Sequence, residues 1–373
     1  MAIIRVLIAD DSTTVRRLMR DALAADAAFE VVAEAGDGRT VTELCRRLRP
    51  DVITMDVMMP VMDGVAATKY IMASCATPIL VVSSSSSRGE VQQTFDALAA
   101  GAIDLLNKPT GTQPKGAWER ELVEAVKRVS RIKPITRAFA LQGAGTVDAA
   151  ITSVGPPPDV SAPAIGAVSV PAIDPADATI VAIGASTGGP EAIATILSQI
   201  PSDFPLSMLL VIHITPEFAE GLAHWISKLT KITVRFALDR EPLPLPGRSE
   251  IIMAPPDRHL SVSEARLRVT QSPERHSCRP SIDVLFESVA RECGPQAIAC
   301  LLTGMGKDGA NGLLKVRQSG GQTIAQDQAS SIVFGMPREA IALQAAQVVA
   351  PLEKVAATLC HMARRGRRED QLS

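Results

Sequence analysis

The chain has 373 residues, 46% of them apolar, and a formal net charge of −2. Such a length suits two domains better than one, and so small a charge offers no global basic field for nucleic acid or an anionic membrane surface. No apolar stretch approaches the ~20 residues of a membrane span, and Asp10 and Asp11 interrupt the N-terminal apolar run before a secretory core is complete, so a cytoplasmic protein with no membrane insertion is expected. The six cysteines include no Cys-x-x-Cys pair, as in a reduced chain without structural disulfides. His276-Ser-Cys278 is the nearest approach to a metal pair, but it lacks a second half at ligand spacing and reads as loop.

From the N-terminus, apolar runs at Ile4–Ala9, Val31–Ala35, Val52–Met55, Ile79–Val82 and Ile103–Leu106 alternate with amphipathic segments. The first of those segments places Val15, Leu18, Met19, Ala22 and Leu23 at helical spacing behind Ser12, a favourable N-cap. Five strands alternating with helices predict a parallel sheet covered on both faces. Asp10 and Asp11 follow the first strand, Asp56 the third, Ser83 ends the fourth and Lys108 follows the fifth. All belong to the carboxyl edge, where open α/β sheets bind ligands. Three carboxylates there repel one another unless a cation lies among them, and an all-oxygen site suits Mg2+.

Leu7-Ile-Ala-Asp-Asp-Ser12, Met55-Asp-Val-Met-Met-Pro60 with Met62-Asp-Gly64, and Lys108-Pro109 resemble a two-component receiver domain over about residues 1–130; the domain is expected to occupy 1–133. The resemblance implies a flavodoxin-like, five-stranded parallel fold and phosphorylation of Asp56. It also implies Mg2+ held by Asp10, Asp11, Asp56 and the Met58 carbonyl, with Ser83 and Lys108 engaging the phosphoryl group. One departure stands out: three residues before the lysine, where receivers commonly carry an aromatic switch residue, this chain has Leu105.

Between residues 134 and 178, Ala, Pro and Gly make up 22 of 45 positions, including Pro156-Pro157-Pro158. This segment reads as a linker spanning roughly 35–40 Å as flexible coil. A second α/β unit is expected over 179–360, followed by a basic tail at 361–373. Its predicted elements are strand Thr179–Ile183, helix 190–199, strand Met208–Ile212, helix 218–228 and strand Glu250–Met253. A hairpin (260–262 with 267–269), helix 281–293, strand 297–302, helix 310–318 and strand 322–325 follow. The pattern predicts a larger, doubly wound, mostly parallel domain.

Gly184-Ala-Ser-Thr-Gly-Gly189 follows the first of these strands. A dinucleotide loop needs glycine where Ser186 stands and an acid at the end of the next strand, where this chain has His213. The segment does fit Gly-x-Ser-x-Gly, in which glycines allow the sharp turn that exposes a nucleophilic serine. His213 ends the next strand, and Asp308 follows strand 297–302 within Thr303-Gly-Met-Gly-Lys-Asp-Gly309. Ser186, His213 and Asp308 therefore share one sheet edge as candidate nucleophile, base and orienting acid. The order Ser, His, Asp differs from the Ser, acid, His order of α/β-hydrolases, which would instead draw on His259, His276 or His361 with an acid such as Asp257.

Ile183-Gly-Ala-Ser-Thr-Gly-Gly-Pro190, Arg279-Pro-Ser-Ile-Asp-Val-Leu-Phe286, Leu302-Thr-Gly-Met-Gly-Lys-Asp-Gly-Ala310 and Ala325-Gln-Asp327 with Ser330-Ser-Ile-Val-Phe-Gly-Met-Pro337 resemble the catalytic domain of bacterial chemotaxis protein-glutamate methylesterases. The resemblance implies a Ser186, His213, Asp308 triad that demethylates glutamate esters and deamidates glutamines, with no cofactor in the catalytic domain. It also implies inhibition by the unphosphorylated receiver, a chemotaxis-type histidine kinase as phosphodonor and methyl-accepting chemoreceptors as substrates. Backbone N–H groups at Thr187 and Met305 are candidate oxyanion donors. In this family Met-Pro usually follows the histidine, whereas here Ile214-Thr215 does, a change that bears on the pocket lining. A phospho-switched binding module with an inactive catalytic fold is the competing reading. A DNA-binding regulator has no basic helix-turn-helix segment to support it.

Overall fold

Apolar strands that alternate with amphipathic helices bury both sheet faces, and the computed structural model contains two such sheets. It describes residues 3–84, 87–109, 111, 114–132, 180–202, 204–230, 232–244 and 250–365; the expected linker (134–178), Thr179 and the basic tail beyond 365 lie outside them. The first unit runs β1 (Ile4–Ala9), α1 (Thr13–Ala24), β2 (Phe29–Ala35), α2 (Gly38–Leu48), β3 (Val52–Met55), α3 (Gly64–Ser74), β4 (Ile79–Ser83), α4 (Arg88–Ala99), β5 (Asp104–Asn107) and α5 (Ala117–Ser130). Ser12 caps α1 as expected, accepting the Val15 N–H. The parallel sheet has the order β2-β1-β3-β4-β5. Because β1 pairs with β3, the loops carrying Asp10, Asp11 and Asp56 leave the sheet side by side, at the point where the strand order reverses.

The second unit opens with β6 (Ile180–Ala185), α6 (Gly189–Gln199), β7 (Ser207–Ile212), α7 (Pro216–Thr230), β8 (Thr233–Phe236) and β9 (Glu250–Met253). The hairpin β10 (His259–Ser263) and β11 (Arg266–Thr270) forms its own two-stranded sheet. There follow α8 (Ile282–Cys293), β12 (Ala297–Leu301), α9 (Ala310–Gln318), β13 (Gln322–Gln326), α10 (Met336–Ala342), β14 (Val348–Ala350) and α11 (Leu352–Arg365). The seven-stranded sheet, β14-β13-β12-β6-β7-β9-β8, is parallel throughout. Central β6 lies between β12 and β7, which brings the three candidate loops together.

Among the described residues, four strands and α-helices have no counterpart in the expected pattern. β8 and β14 are short edge strands, and α10 is a seven-residue helix; each is too brief to show a period. The fourth, α11, runs past the expected domain boundary at residue 360: Val355, Ala356, Leu359, Met362 and Ala363 form one buried stripe at helical spacing, so the catalytic domain continues to Arg365.

The two units touch along α4 and α7. Phe95 of α4 stacks on Trp225 of α7 with centroids 5.6 Å apart and meets Phe218 edge-on at 6.4 Å. Gly221 lets the helices approach: a Cβ there would lie 1.9 Å from Val91 Cγ1.

Candidate active site

The register of the second sheet sets the geometry. Ala185 pairs with Ile212, so Ser186 and His213 are the next residues on adjacent strands, joined by the His213 N–H to Ala185 carbonyl bond of 3.1 Å. On the other side of β6, the Ser186 N–H donates to the Thr303 carbonyl at 3.0 Å. Gly188, at φ 77°, turns the chain from β6 into α6. Gly304 permits a close approach to the serine: a Cβ there would lie 2.7 Å from Ser186 Cβ. The loop carrying Met305 is thereby pressed against the serine.

Asp308 is fixed by four hydrogen bonds. Its Oδ2 accepts from the Ile282 N–H at 2.7 Å and lies 3.0 Å from His213 Nε2. Its Oδ1 accepts from Ser281 Oγ at 2.8 Å and the Asp283 N–H at 3.0 Å. Ser281 is the N-cap of α8 but does not cap with its own side chain; Asp308 takes the first N–H groups instead. A carboxylate at a helix N-terminus is electrostatically favoured. Burial alone would raise the Asp308 pKa, but the hydrogen bond and charge of His213, with the two α8 N–H groups, hold it below the ordinary value.

His213 thus presents Nε2 to the carboxylate and Nδ1 to its other side, where Cys278 Sγ lies 3.8 Å away. Burial works to lower its pKa, yet the hydrogen bonds and charges of Asp308 and Cys278 carry it up to about 9. Cys278 lies in a loop, as expected, and the folding of the segment before α8 brings it into the site. Ser281 and buried Gln326 were missed. Gln326 Oε1 accepts the Thr303 N–H at 2.8 Å, steadying the loop under Ser186. The signal was a polar side chain directly after the apolar pair Ile324-Ala325, at the carboxyl end of β13. The alternative histidines are committed elsewhere: His259 Nδ1 accepts the Ser281 N–H at 3.1 Å, and His276 Nε2 lies 3.0 Å from Asp283 Oδ2.

Ser186, Thr187, His213, Cys278 and Met305 line one cavity of ≈ 410 Å³, together with Ile214 and Thr215. Its opposite wall belongs to the first unit and includes Leu105, Leu106, Glu121 and Arg128. Leu105, which stands where an aromatic switch residue was expected, therefore lines the same cavity as the candidate nucleophile.

At the edge of the first sheet, Asp10 and Asp56 are fully buried and Asp11 is exposed, with carboxylate oxygens of all three within 4.8 Å of one another. Lys108 Nζ lies 2.9 Å from both Asp10 Oδ2 and Asp56 Oδ2. Desolvation pushes Asp56 up to about 6 and raises Asp10, against the pull of Lys108. One ammonium does not satisfy this oxygen cluster, and the donor set fits a hard divalent cation. The Met58 N–H donates to Asp56 Oδ1 at 3.4 Å, so the main chain there runs beside the carboxylate. Ser83 is brought to the same edge, but its hydroxyl is turned towards α4, accepting from Thr94 Oγ1 at 2.9 Å with Glu90 Oε1 at 3.4 Å.

Residues 6–114 match the response regulator receiver domain family and residues 181–359 the CheB methylesterase family. A protein-glutamate methylesterase/protein-glutamine glutaminase of Nitrosospira multiformis is 42% identical over 96% of this chain and 97% of its own length. A Myxococcus xanthus protein described in the same words is 40% identical over 95% of this chain and 96% of its own. The crystal structure of the Thermotoga maritima CheB methylesterase catalytic domain is 34% identical, covers 50% of this chain and 99% of its own, and has a TM-score of 0.47.

Proposed function

The chain belongs to the protein-glutamate methylesterase/protein-glutamine glutaminase family, hydrolases that here carry a response-regulator receiver, and on that premise we propose that Ser186, His213 and Asp308 carry out the hydrolysis. The observation behind this reading is the pairing of β6 with β7, which sets Ser186 beside a histidine whose far nitrogen is held by a buried carboxylate. Ser186 Oγ attacks the γ-carbonyl carbon of a methylated glutamate while His213 Nδ1 takes its proton. The proton passes to the departing methanol, and water then releases the free carboxylate from the acyl-enzyme. Asp308 holds the ring so that Nε2 bears the hydrogen and Nδ1 the lone pair. The Thr187 and Met305 N–H groups border the same cavity and are assigned to the oxyanion, each contributing about 3–4 kcal/mol of barrier lowering if well aimed. A glutamine substrate follows the same course with ammonia leaving.

Regulation comes from the receiver, whose Leu105 face closes the cavity. Asp10, Asp11 and Asp56 with the Met58 carbonyl would hold Mg2+, which supplies charge neutralisation on the transferred phosphoryl oxygens. Lys108 is placed to pair with the phosphoryl group on Asp56. Ser83 reaches the same group by leaving Thr94, which precedes Phe95 on α4 and so sits next to the Trp225 contact. Loss of that hydrogen bond loosens the α4–α7 seam and opens the cavity to methylated chemoreceptors, the phosphate coming from a chemotaxis-type histidine kinase.

The test of the triad is methanol release from methylated receptor. Ser186→Ala should abolish it with little change in thermal unfolding; comparable activity in the variant would remove the serine from the mechanism, and no methanol release from the wild type would favour an inactive binding module.

A further inference from the structure

Cys278 has no part in ester hydrolysis as described, yet its placement is closely determined. Arg275 and Cys278 exchange main-chain hydrogen bonds of 3.2 and 3.0 Å, and the residues between them, His276 and Ser277, have φ values of 53° and 58°. Two successive left-handed residues without glycine form a tight turn at some conformational cost. Side chains pin it on every side: Arg275 to Glu287 at 2.6 Å, His276 to Asp283 at 3.0 Å and Arg279 to Asp257 at 2.7 Å. The arrangement presents a half-buried thiol to the cavity, 3.8 Å from His213 Nδ1.

That separation is the ligand edge of a metal site. With Zn–S of about 2.3 Å and Zn–N of about 2.05 Å, a 3.8 Å edge subtends about 120° at the metal, close to tetrahedral. Asp308 on the opposite ring nitrogen completes the carboxylate–histidine–metal arrangement that orients ligating imidazoles. Thiolate and imidazole favour Zn2+ over Mg2+, whereas the oxygen cluster around Asp56 has the reverse preference. Arg279, the nearest cation in sequence, is neutralised by Asp257.

We propose that Cys278 Sγ and His213 Nδ1 form a seat for Zn2+, and that occupancy of this seat shuts off the esterase by capturing the lone pair that deprotonates Ser186. The remaining coordination positions face the cavity and take water. The inhibitory consequence rests on the reading of His213 as the base; binding does not.

The experiment uses metal-freed full-length protein saturated with Mg2+ and titrated with Co2+ as a spectroscopic stand-in for Zn2+. Wild type should develop a thiolate-to-cobalt charge-transfer band that saturates at one equivalent and is displaced by Zn2+, and Cys278→Ser and Cys278→Ala should both lack it. Absence of the band in wild type, or its persistence in both variants, overturns the site. In parallel, methanol release with Zn2+ is divided by the Zn2+-free rate of the same variant. Half-inhibition should need at least roughly 10-fold more Zn2+ without the thiol, since losing a ligand costs no less than losing a partner behind a ligand. A Cys278-dependent band with no inhibition would leave the metal seat standing and remove His213 as base; loss of the band with a dead Ser186→Ala would do the opposite.

Discussion

Trp225 of the catalytic domain donates its indole N–H to Asp96 Oδ1 of the receiver at 3.1 Å, and its ring lies stacked on Phe95, the neighbouring residue. One aromatic side chain thus joins apolar contact and a charged hydrogen bond at the seam between the two units, which the proposed inhibition would use to keep the cavity shut. A hydrogen bond to a charged group contributes about 1.5–3 kcal/mol where water is excluded, and less where it is not. Asp96→Ala removes the acceptor without touching either active site. Methanol release by the unphosphorylated full-length protein should rise by roughly 5-fold or more, the lower end of typical coupling between sites. An unchanged basal rate would mean that the seam does not restrain the enzyme.

The pH profile follows from His213. As the proposed base, His213 works only when neutral, and Asp308 and Cys278 carry its pKa up to about 9, so kcat/KM should climb with pH through neutrality and level off near 9. Cys278 is among the groups that raise the value, so in Cys278→Ser the plateau should begin at lower pH. The same shift runs the other way for stability. A histidine whose pKa is raised on folding stabilises fully below its unfolded value of 6.5, and that contribution fades as pH rises through about 9. A rate profile flat between pH 6 and 9, measured on methanol release, would contradict the assignment (flat here meaning within about 2-fold, against the tenfold per pH unit of a single essential base).

Asp308, the proposed orienting acid, also caps α8. Asp308→Asn keeps the shape but loses the charge and the ring orientation, and a drop in kcat of about 10⁴-fold is expected by analogy with other triads. Asp308→Ala should in addition lower unfolding stability by about 0.5–2 kcal/mol, because the first turn of α8 loses its cap. Denaturant unfolding of both variants separates the two roles.

Thr94→Val tests the route from the phosphoryl site to the seam. The hydroxyl partner of Ser83 disappears while the volume stays nearly constant. Phosphorylation of Asp56 by a small-molecule phosphodonor should proceed as before, but the ratio of phosphorylated to unphosphorylated esterase rate should shrink. Equal ratios in the two proteins would send the signal by another path.

Much of this could be read from residue order, for a physical reason. In a parallel sheet every carboxyl end lies on one edge, so Asp10, Asp56, Lys108, Ser186, His213 and Asp308 were placed as soon as the strands were located. Residues that act through packing between distant segments were not legible. Cys278 reaches His213 through a turn in a loop without periodicity, Ser281 and Asp308 meet only when α8 docks, and the α4–α7 seam depends on how two domains settle together. Leu105 was legible as a departure from the receiver pattern, but its place in the same cavity as Ser186 was not.

The most direct test of the whole account is the initial rate of methanol release by the full-length protein with and without phosphodonor and Mg2+, run beside Asp56→Asn. Closure of the cavity by the receiver predicts a low rate that rises about 5–150-fold on phosphorylation, towards the lower end given Leu105, and no rise in Asp56→Asn. A rate that phosphodonor leaves unchanged or lowers in the wild type, or that rises equally in Asp56→Asn, would contradict it.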